Sequence, residues 1–203
     1  MLEGVFEIVK CEDKLYAHSQ TMVESVVQAP EGKDLIAALA TANVNRCEIL
    51  NGEADIDGVV VFDLLFDSAD TICLKTSCNF SQTVPIAGAK PRAIGYAQAE
   101  VSNVQAEVYA GEIKVSATVD LSAVVNEKNE IKCVTKVAGD GIQTLEKELG
   151  MSITAGTGTA RTSVQKDIDL KSHRVPDVNR ILVSSADVEV SDAYCSEDRV
   201  VVS

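Results

Sequence analysis

The sequence predicts an all-β protein: antiparallel β-sandwich or open-barrel units in tandem, joined by a short helix, with the second unit incomplete. Three observations lead there. Of 203 residues, 46% are hydrophobic but only 4% aromatic, with no Trp, so the core must be built from Val, Ala, Ile and Leu, which suits thin β-layers. Several stretches alternate apolar and polar residues at the period of a half-buried strand. Only one segment carries a helical pattern instead.

The run GVVVFDLLF, residues 58–66, is almost wholly apolar between Gly58 and Asp67, the mark of a strand covered on both faces. TICLKTSCNFSQTVPI, residues 71–86, supplies the next strand. Ala97, Ala99 and Val101 then occupy odd positions and Val104, Ala106 and Val108 even ones, so a bulge or bend is expected at Ser102 and Asn103 to keep both halves on one face. Gly111 turns this strand into EIKVSATVDLS, residues 112–122, where five apolar residues alternate with polar ones, and the two form an antiparallel hairpin. NEKNE, residues 126–130, reads as a polar loop, after which IKCVTKV, residues 131–137, is expected to return against 112–122. In GIQTLEKELG, residues 141–150, Ile142, Leu145 and Leu149 share a helical face, with Asp140 as cap and Gly150 as stop. GTGTAR and its sequel then read as a turn and another strand.

An internal repeat accounts for the chain beyond the helix. VPDVNRILVSSADVEVSDAYCSEDRVVVS aligns without a gap under APEGKDLIAALATANVNRCEILNGEADID, bringing Pro176 under Pro30, Leu182 under Ile36, Ala186 under Ala40, Val190 under Val44 and Val202 under Ile56. The expected organisation is a first β domain at 1–138, a helical linker at 139–151 and the N-terminal part of a second, truncated β domain at 152–203. If the register continues, the residue after Ser203 in the parent protein is Gly, as Gly58 is in the first unit, followed by a β-branched apolar run.

Composition narrows the function. A net charge of −13 repels nucleic acid and anionic lipid. MLEGVFEIVK lacks the basic start and apolar stretch of a secretory signal, and no window approaches the ~20 apolar residues of a spanning helix; a soluble protein made in the cytoplasm is expected.

No reactive centre emerges from the motifs. Six cysteines at 11, 47, 73, 78, 133 and 195 form no Cys-x-x-Cys pair, and the two histidines, His18 and His173, stand far from them, which disfavours zinc. VPIAGAKPRAIGY, residues 84–96, has Gly88, Lys90, Pro91 and Arg92, but it runs into an alternating strand where a phosphate loop would open a helix. It reads as a strand corner, with Lys90 and Arg92 as solvated cations or contributors to partner docking. Gly156 and Gly158 of GTGTAR lack the third small residue and the helix of a dinucleotide fingerprint. Asp55 and Asp57 share strand parity and could meet a cation, but read more simply as an exposed rim. No catalytic, cofactor-binding or metal-ligating residue is assigned.

The order of ILNGEADIDGVVVFDLLFD, FSQTVPIAGAKP, EIKVSATVDLSAVV, GIQTLEKELG, GTGTARTSVQKDIDL and VPDVNRILVSSADVEVSD resembles the SPOCS-domain family of spore-forming Firmicutes, of the SipL type. The resemblance implies two SPOCS-like units, the first at 1–138 and the start of a second at 152–203. It also implies a non-enzymatic protein of the developing spore, made in the mother cell and destined for the coat or outer envelope. The LysM module that follows in the SipL type has no counterpart segment in this sequence, which puts the coat-basement ATPase partnership in doubt. The implied partners are other coat or envelope proteins and second copies of the chain, with no nucleic acid, membrane insertion or cofactor. The alternative from another class is a surface glycan- or small-ligand-binding sandwich, disfavoured by the scarcity of aromatic stacking residues. Cys11 and Cys195, near the chain ends, are candidates for cross-linking neighbours.

Overall fold

The computed structural model describes residues 3–67, 72–139, 141, 143–145, 147–148, 150–155, 162–168, 181–184, 186, 190–196 and 199–202. Its architecture is all-β and antiparallel. Six long strands make two three-stranded sheets: β1 (Glu3–Gln28), β6 (Glu112–Ala138) and β5 (Ile94–Tyr109) in the order β1-β6-β5, and β2 (Asp34–Ile49), β3 (Glu53–Asp67) and β4 (Ile72–Pro85) in the order β2-β3-β4. The sheets face one another, with β2 alongside β5 and β1 alongside β4 at the two margins. A separate hairpin joins β7 (Ala193–Ser196) to β8 (Arg199–Val202).

Alternation explains the core. In β3 every even residue from Ala54 to Phe66 is buried, and in β6 every odd one from Ile113 to Glu127. The two central strands thus lay Ile56, Val60, Phe62, Leu64 and Phe66 against Ile113, Val115, Val119, Leu121 and Val125, all with at most 1% exposure. The flanking strands contribute small residues such as Ala38, Ala40, Ala97 and Ala99 to the same cluster. Coverage of β3 on both faces, expected from its apolar run, is not found: Val59, Val61 and Leu65 on the outer face are only half-buried. Flanking strands shield the sides of a central residue, but no layer lies above these three among the described residues.

The bulge expected at Ser102 and Asn103 is present, since Val101 pairs with Val119 and Asn103 with Thr118. The hairpin at Gly111 is also present. Ala110 and Gly111 have φ of 51° and 82°, the two positive values of a type I′ turn.

Two expectations fail. NEKNE is not a loop, and 131–137 does not return against 112–122; β6 runs unbroken from Glu112 to Ala138 with β1 as its partner along the whole length. No Gly or Pro interrupts 112–138, and the polar residues find cross-strand partners, Glu130 facing Lys10 and Lys128 facing Glu12. Nor does the linker helix form among the described residues: Gln143, Thr144, Leu145, Lys147 and Glu148 are not helical, and Leu145 is 99% exposed. Ten residues are too few for a helix to hold without a surface for its apolar face. Asp140, Ile142 and Leu149 lie outside the described residues.

The β7–β8 hairpin reproduces a register already seen between β2 and β3. Ala193↔Val202, Tyr194↔Val201 and Cys195↔Val200 each lie 146 residues beyond Cys47↔Ile56, Glu48↔Asp55 and Ile49↔Ala54 of the β2–β3 pair.

Candidate functional site

The base of the sandwich gathers the polar chemistry. There the stretch 86–93 carries the chain from β4 to β5 as two successive turns. In the first, Ala89 N–H donates to Ile86 O at 3.1 Å and Gly88 has φ 90°; in the second, Ala93 N–H donates to Lys90 O at 3.1 Å, with Pro91 second and Arg92 third at φ 70°. Positive φ at the third residue after a Pro is the type II pattern, which favours Gly there, so Arg92 is held in a strained conformation. Ile86 and Ala89 are buried, and backbone bonds of 2.8 and 2.9 Å tie both to Gly52 in the β2–β3 turn. The expected strand corner is what forms.

Lys90 is not simply a solvated cation. Its Nζ lies 2.7 Å from Glu127 Oε1 and 2.9 Å from Asn129 Oδ1, and its backbone N–H reaches Glu127 Oε2 at 3.3 Å. Glu127, at 6% exposure, is the buried charged residue among the described ones. Asn129 Nδ2 donates onward to Asp13 Oδ2 at 2.7 Å. A buried carboxylate needs such partners to offset its lost hydration, and Lys90 spends its charge there. Phosphate would find this loop already occupied by a carboxylate. Sequence reading missed Glu127 by placing it in a loop; the odd-numbered register running from Ile113 through Val125 would have put it on the core face.

On the opposite face, Thr154 docks on the same ribbon. Its N–H and hydroxyl both donate to the Glu12 carboxylate at 2.6 Å, and Asn126 Nδ2 donates to its Oγ1 at 3.3 Å. The two bonds from Thr154 hold the Glu12 carboxyl below its ordinary range, with Lys128 and Lys14 adding to the effect.

Beyond this base, β1 and β6 project as a two-stranded ribbon, because β5 starts only at Ile94, opposite Asn126. The ribbon exposes Val5, Phe6, Ile8, Ile131 and Val134, and Lys132 Nζ stands 4.6 Å from the centre of the Phe6 ring.

The remaining candidates are scattered. Asp57 pairs with Arg46 at 3.4 Å and Asp55 accepts from Thr83 Oγ1 at 2.7 Å, so both carboxylates have protein partners. His18 is exposed on the outer face of β1, opposite Ser122. His173, Gly156 and Gly158 lie outside the described residues. Among the described residues, which include all six cysteines, no disulfide forms and no group of three His, Cys, Asp or Glu is placed to hold a metal ion. Cys11 is half-buried with its thiol 3.7 Å from Asn129 O, and Cys195 is exposed. Also among the described residues, no helix is long and apolar enough to cross a membrane.

Comparison with protein families gives a match to the family described as SipL, SPOCS domain, over residues 33–109. The segment is similar to a SPOCS domain. It runs from just before β2 to the end of β5, so the SPOCS match takes in the whole β2-β3-β4 sheet and the corner at 86–93. The SPOCS domain points to a spore-related role. No curated protein and no solved structure matches the chain.

Proposed function

We propose that this chain is a non-enzymatic structural module of the bacterial spore envelope, made in the mother cell and acting in coat assembly through protein–protein contacts. The SPOCS match over 33–109 is the observation that carries this reading. Two features support it. At the base of the sandwich Lys90, Glu127, Asn129 and Asp13 bond one another, and Val5, Phe6, Ile8, Ile131 and Val134 are exposed on a projecting ribbon, a form suited to strand addition by a partner. The register shared by the β7–β8 and β2–β3 hairpins supports tandem units, whose linked weak contacts would add up by avidity. Fractionation of sporulating cells tests the proposal: the protein is expected with the spore envelope, and recovery only from growing cells would refute it.

A second reading, glycan binding, is favoured by one observation. Tyr16 and Tyr96, 65% and 54% exposed, flank Val124 in a single cross-strand row on the outer face of the β1-β6-β5 sheet. Two strand spacings put them about 10 Å apart. Titration with β-1,4-linked oligosaccharides, read by tyrosine fluorescence, would show saturable binding lost in Tyr96→Ala if this reading holds.

A further inference from the structure

We propose that Asn51 is a site of spontaneous modification, converting to an aspartyl or isoaspartyl residue, and that the corner at 86–93 guards it by holding the backbone nitrogen of Gly52. The chemistry needs only water and is independent of any partner or role in the spore.

Asn51 is the one asparagine in the chain followed by glycine; the others precede Val, Arg, Phe or Glu. A side chain on the following residue crowds the approach of its nitrogen to the asparagine carboxamide, and glycine has none. In the reaction the Gly52 nitrogen gives up its proton to hydroxide and attacks Cγ of Asn51. The new N–C bond forms, the Cγ–Nδ2 bond breaks, and ammonia leaves with a proton supplied by water. Water then opens the cyclic imide at one of its two carbonyls. One cleavage gives aspartate; the other gives isoaspartate, in which the backbone runs on through Cγ.

The structure exposes one reactant and restrains the other. The Asn51 side chain faces water, which gives hydroxide access and ammonia an exit. Gly52 N–H, however, donates to Ala89 O at 2.9 Å, and Gly52 O accepts from Ile86 N–H at 2.8 Å. Ile86 and Ala89 are each 2% exposed. Leu50 N–H donates to Glu53 O at 2.9 Å, so both ends of the turn are pinned. A nitrogen whose proton is held by a carbonyl neither loses it to hydroxide nor turns toward Cγ until that bond opens, so the reaction runs through local opening of the corner.

The product acts back on the corner. Isoaspartate lengthens the backbone between Leu50 and Gly52 by one atom, and with the turn pinned at its ends Gly52 no longer meets both Ala89 and Ile86 in hydrogen-bonding geometry. The same corner carries Lys90 to Glu127, so the change loosens the base of the sandwich. It does so in one direction only, because the lost ammonia does not return.

Incubation of the full chain in warm, mildly alkaline buffer, followed by peptide mass spectrometry that separates aspartate from isoaspartate, tests the site. The folded chain should react about tenfold or more slowly than the same chain unfolded in guanidinium chloride, a comparison that needs no variant. Gly88→Ala puts a Cβ at φ 90° in the turn that presents Ala89; it should speed the folded reaction about fivefold and leave the unfolded rate unchanged. Amide exchange at Ile86 should be faster in the isoaspartyl product than in Asn51→Asp, which carries the charge without the extra atom. No acid product at Asn51 after weeks in the folded chain would overturn the site. Equal rates in folded and unfolded chains, or a folded Gly88→Ala protein that reacts no faster than the parent, would overturn the guard. An isoaspartyl product that keeps full protection at Ile86 would overturn the loosening.

Discussion

Replacing Gly58 by alanine tests the packing of the sandwich at its tightest point. In an ordinary strand Gly→Ala stabilises by about 0.5–1 kcal/mol, because the unfolded chain loses freedom. Gly58 is different because of what surrounds it. A methyl group there would lie 2.2 Å from Phe80 Cζ and 2.5 Å from the backbone oxygen of Asn43, against a normal contact of about 3.5–4 Å. Phe80 pairs directly with Gly58 across β3 and β4 and covers the space its missing side chain leaves.

The two clashes have different remedies. Phe80, 6% exposed, can swing away only by giving up much of its burial, worth about 2 kcal/mol. Asn43 O belongs to the β2 backbone, so relief requires β2 to move off β3, with about 1 kcal/mol for a weakened ladder bond. Gly58→Ala should therefore cost about 3 kcal/mol, the upper end for overpacking, and lower Tm by roughly 6–12 °C for a chain of this size. Urea unfolding followed by far-UV circular dichroism measures it. In a Phe80→Ala background the same substitution should cost about 1 kcal/mol, since only the Asn43 contact remains. Gly95→Ala is the comparison: its methyl would meet Ile49 Cδ1 at 2.6 Å, a side-chain end that can give, and the cost should be about 1–2 kcal/mol. A Gly58→Ala protein within 0.5 kcal/mol of the parent would refute the reasoning.

Three further outcomes follow from local geometry. Arg92→Gly should leave stability unchanged or raise it by up to about 1 kcal/mol, because φ 70° at the third position of its turn strains every residue but Gly; a loss in thermal unfolding would mean the Arg92 side chain matters more than its backbone. Docking of Thr154 should weaken with acid: a carboxyl lowered in the folded state adds stability that is full above its ordinary range and lost as pH falls through the lowered value. Amide exchange at Thr154 should accelerate over that acid window in the parent and show no such dependence in Glu12→Gln. Burial raises the Cys47 thiol, whereas Cys195 is exposed, so a thiol reagent at mildly alkaline pH should label Cys195 first and Cys47 much later, as mass spectrometry of timed digests would read.

Alternation made the central strands readable and left their outer ends unread. From Ile113 to Leu121, and across the parity shift at Ser102, the period of two is unambiguous, and strand, hairpin and bulge all follow from it. NEKNE broke the apolar half of that pattern, so composition suggested a loop where the backbone simply continued. Its polar residues answer to β1, more than 100 positions away, through pairs such as Lys10↔Glu130 that no local window contains. Lys90 and Glu127 are likewise 37 residues apart, and only the meeting of the 86–93 corner with β6 makes them partners. The helical face at 141–150 failed for the converse reason: a local pattern existed without a surface to receive it.

The β7–β8 hairpin separates what local sequence decides from what packing decides. Its pairs repeat the β2–β3 register at a constant offset, and Ser196↔Arg199 falls where Leu50 N–H bonds Glu53 O at 2.9 Å in the β2–β3 turn. Yet Val200 and Val202 are 65% and 57% exposed, while their counterparts Ala54 and Ile56 are fully buried. The pairing register therefore does not require the second sheet, since it forms without one facing it among the described residues. Burial does require it: Ile56 owes its seat to β6, whose odd-numbered residues meet it across the sandwich. The same distinction applies to the ribbon, where β1 and β6 stay paired outside the core, with one register shift between Val5 and Phe6.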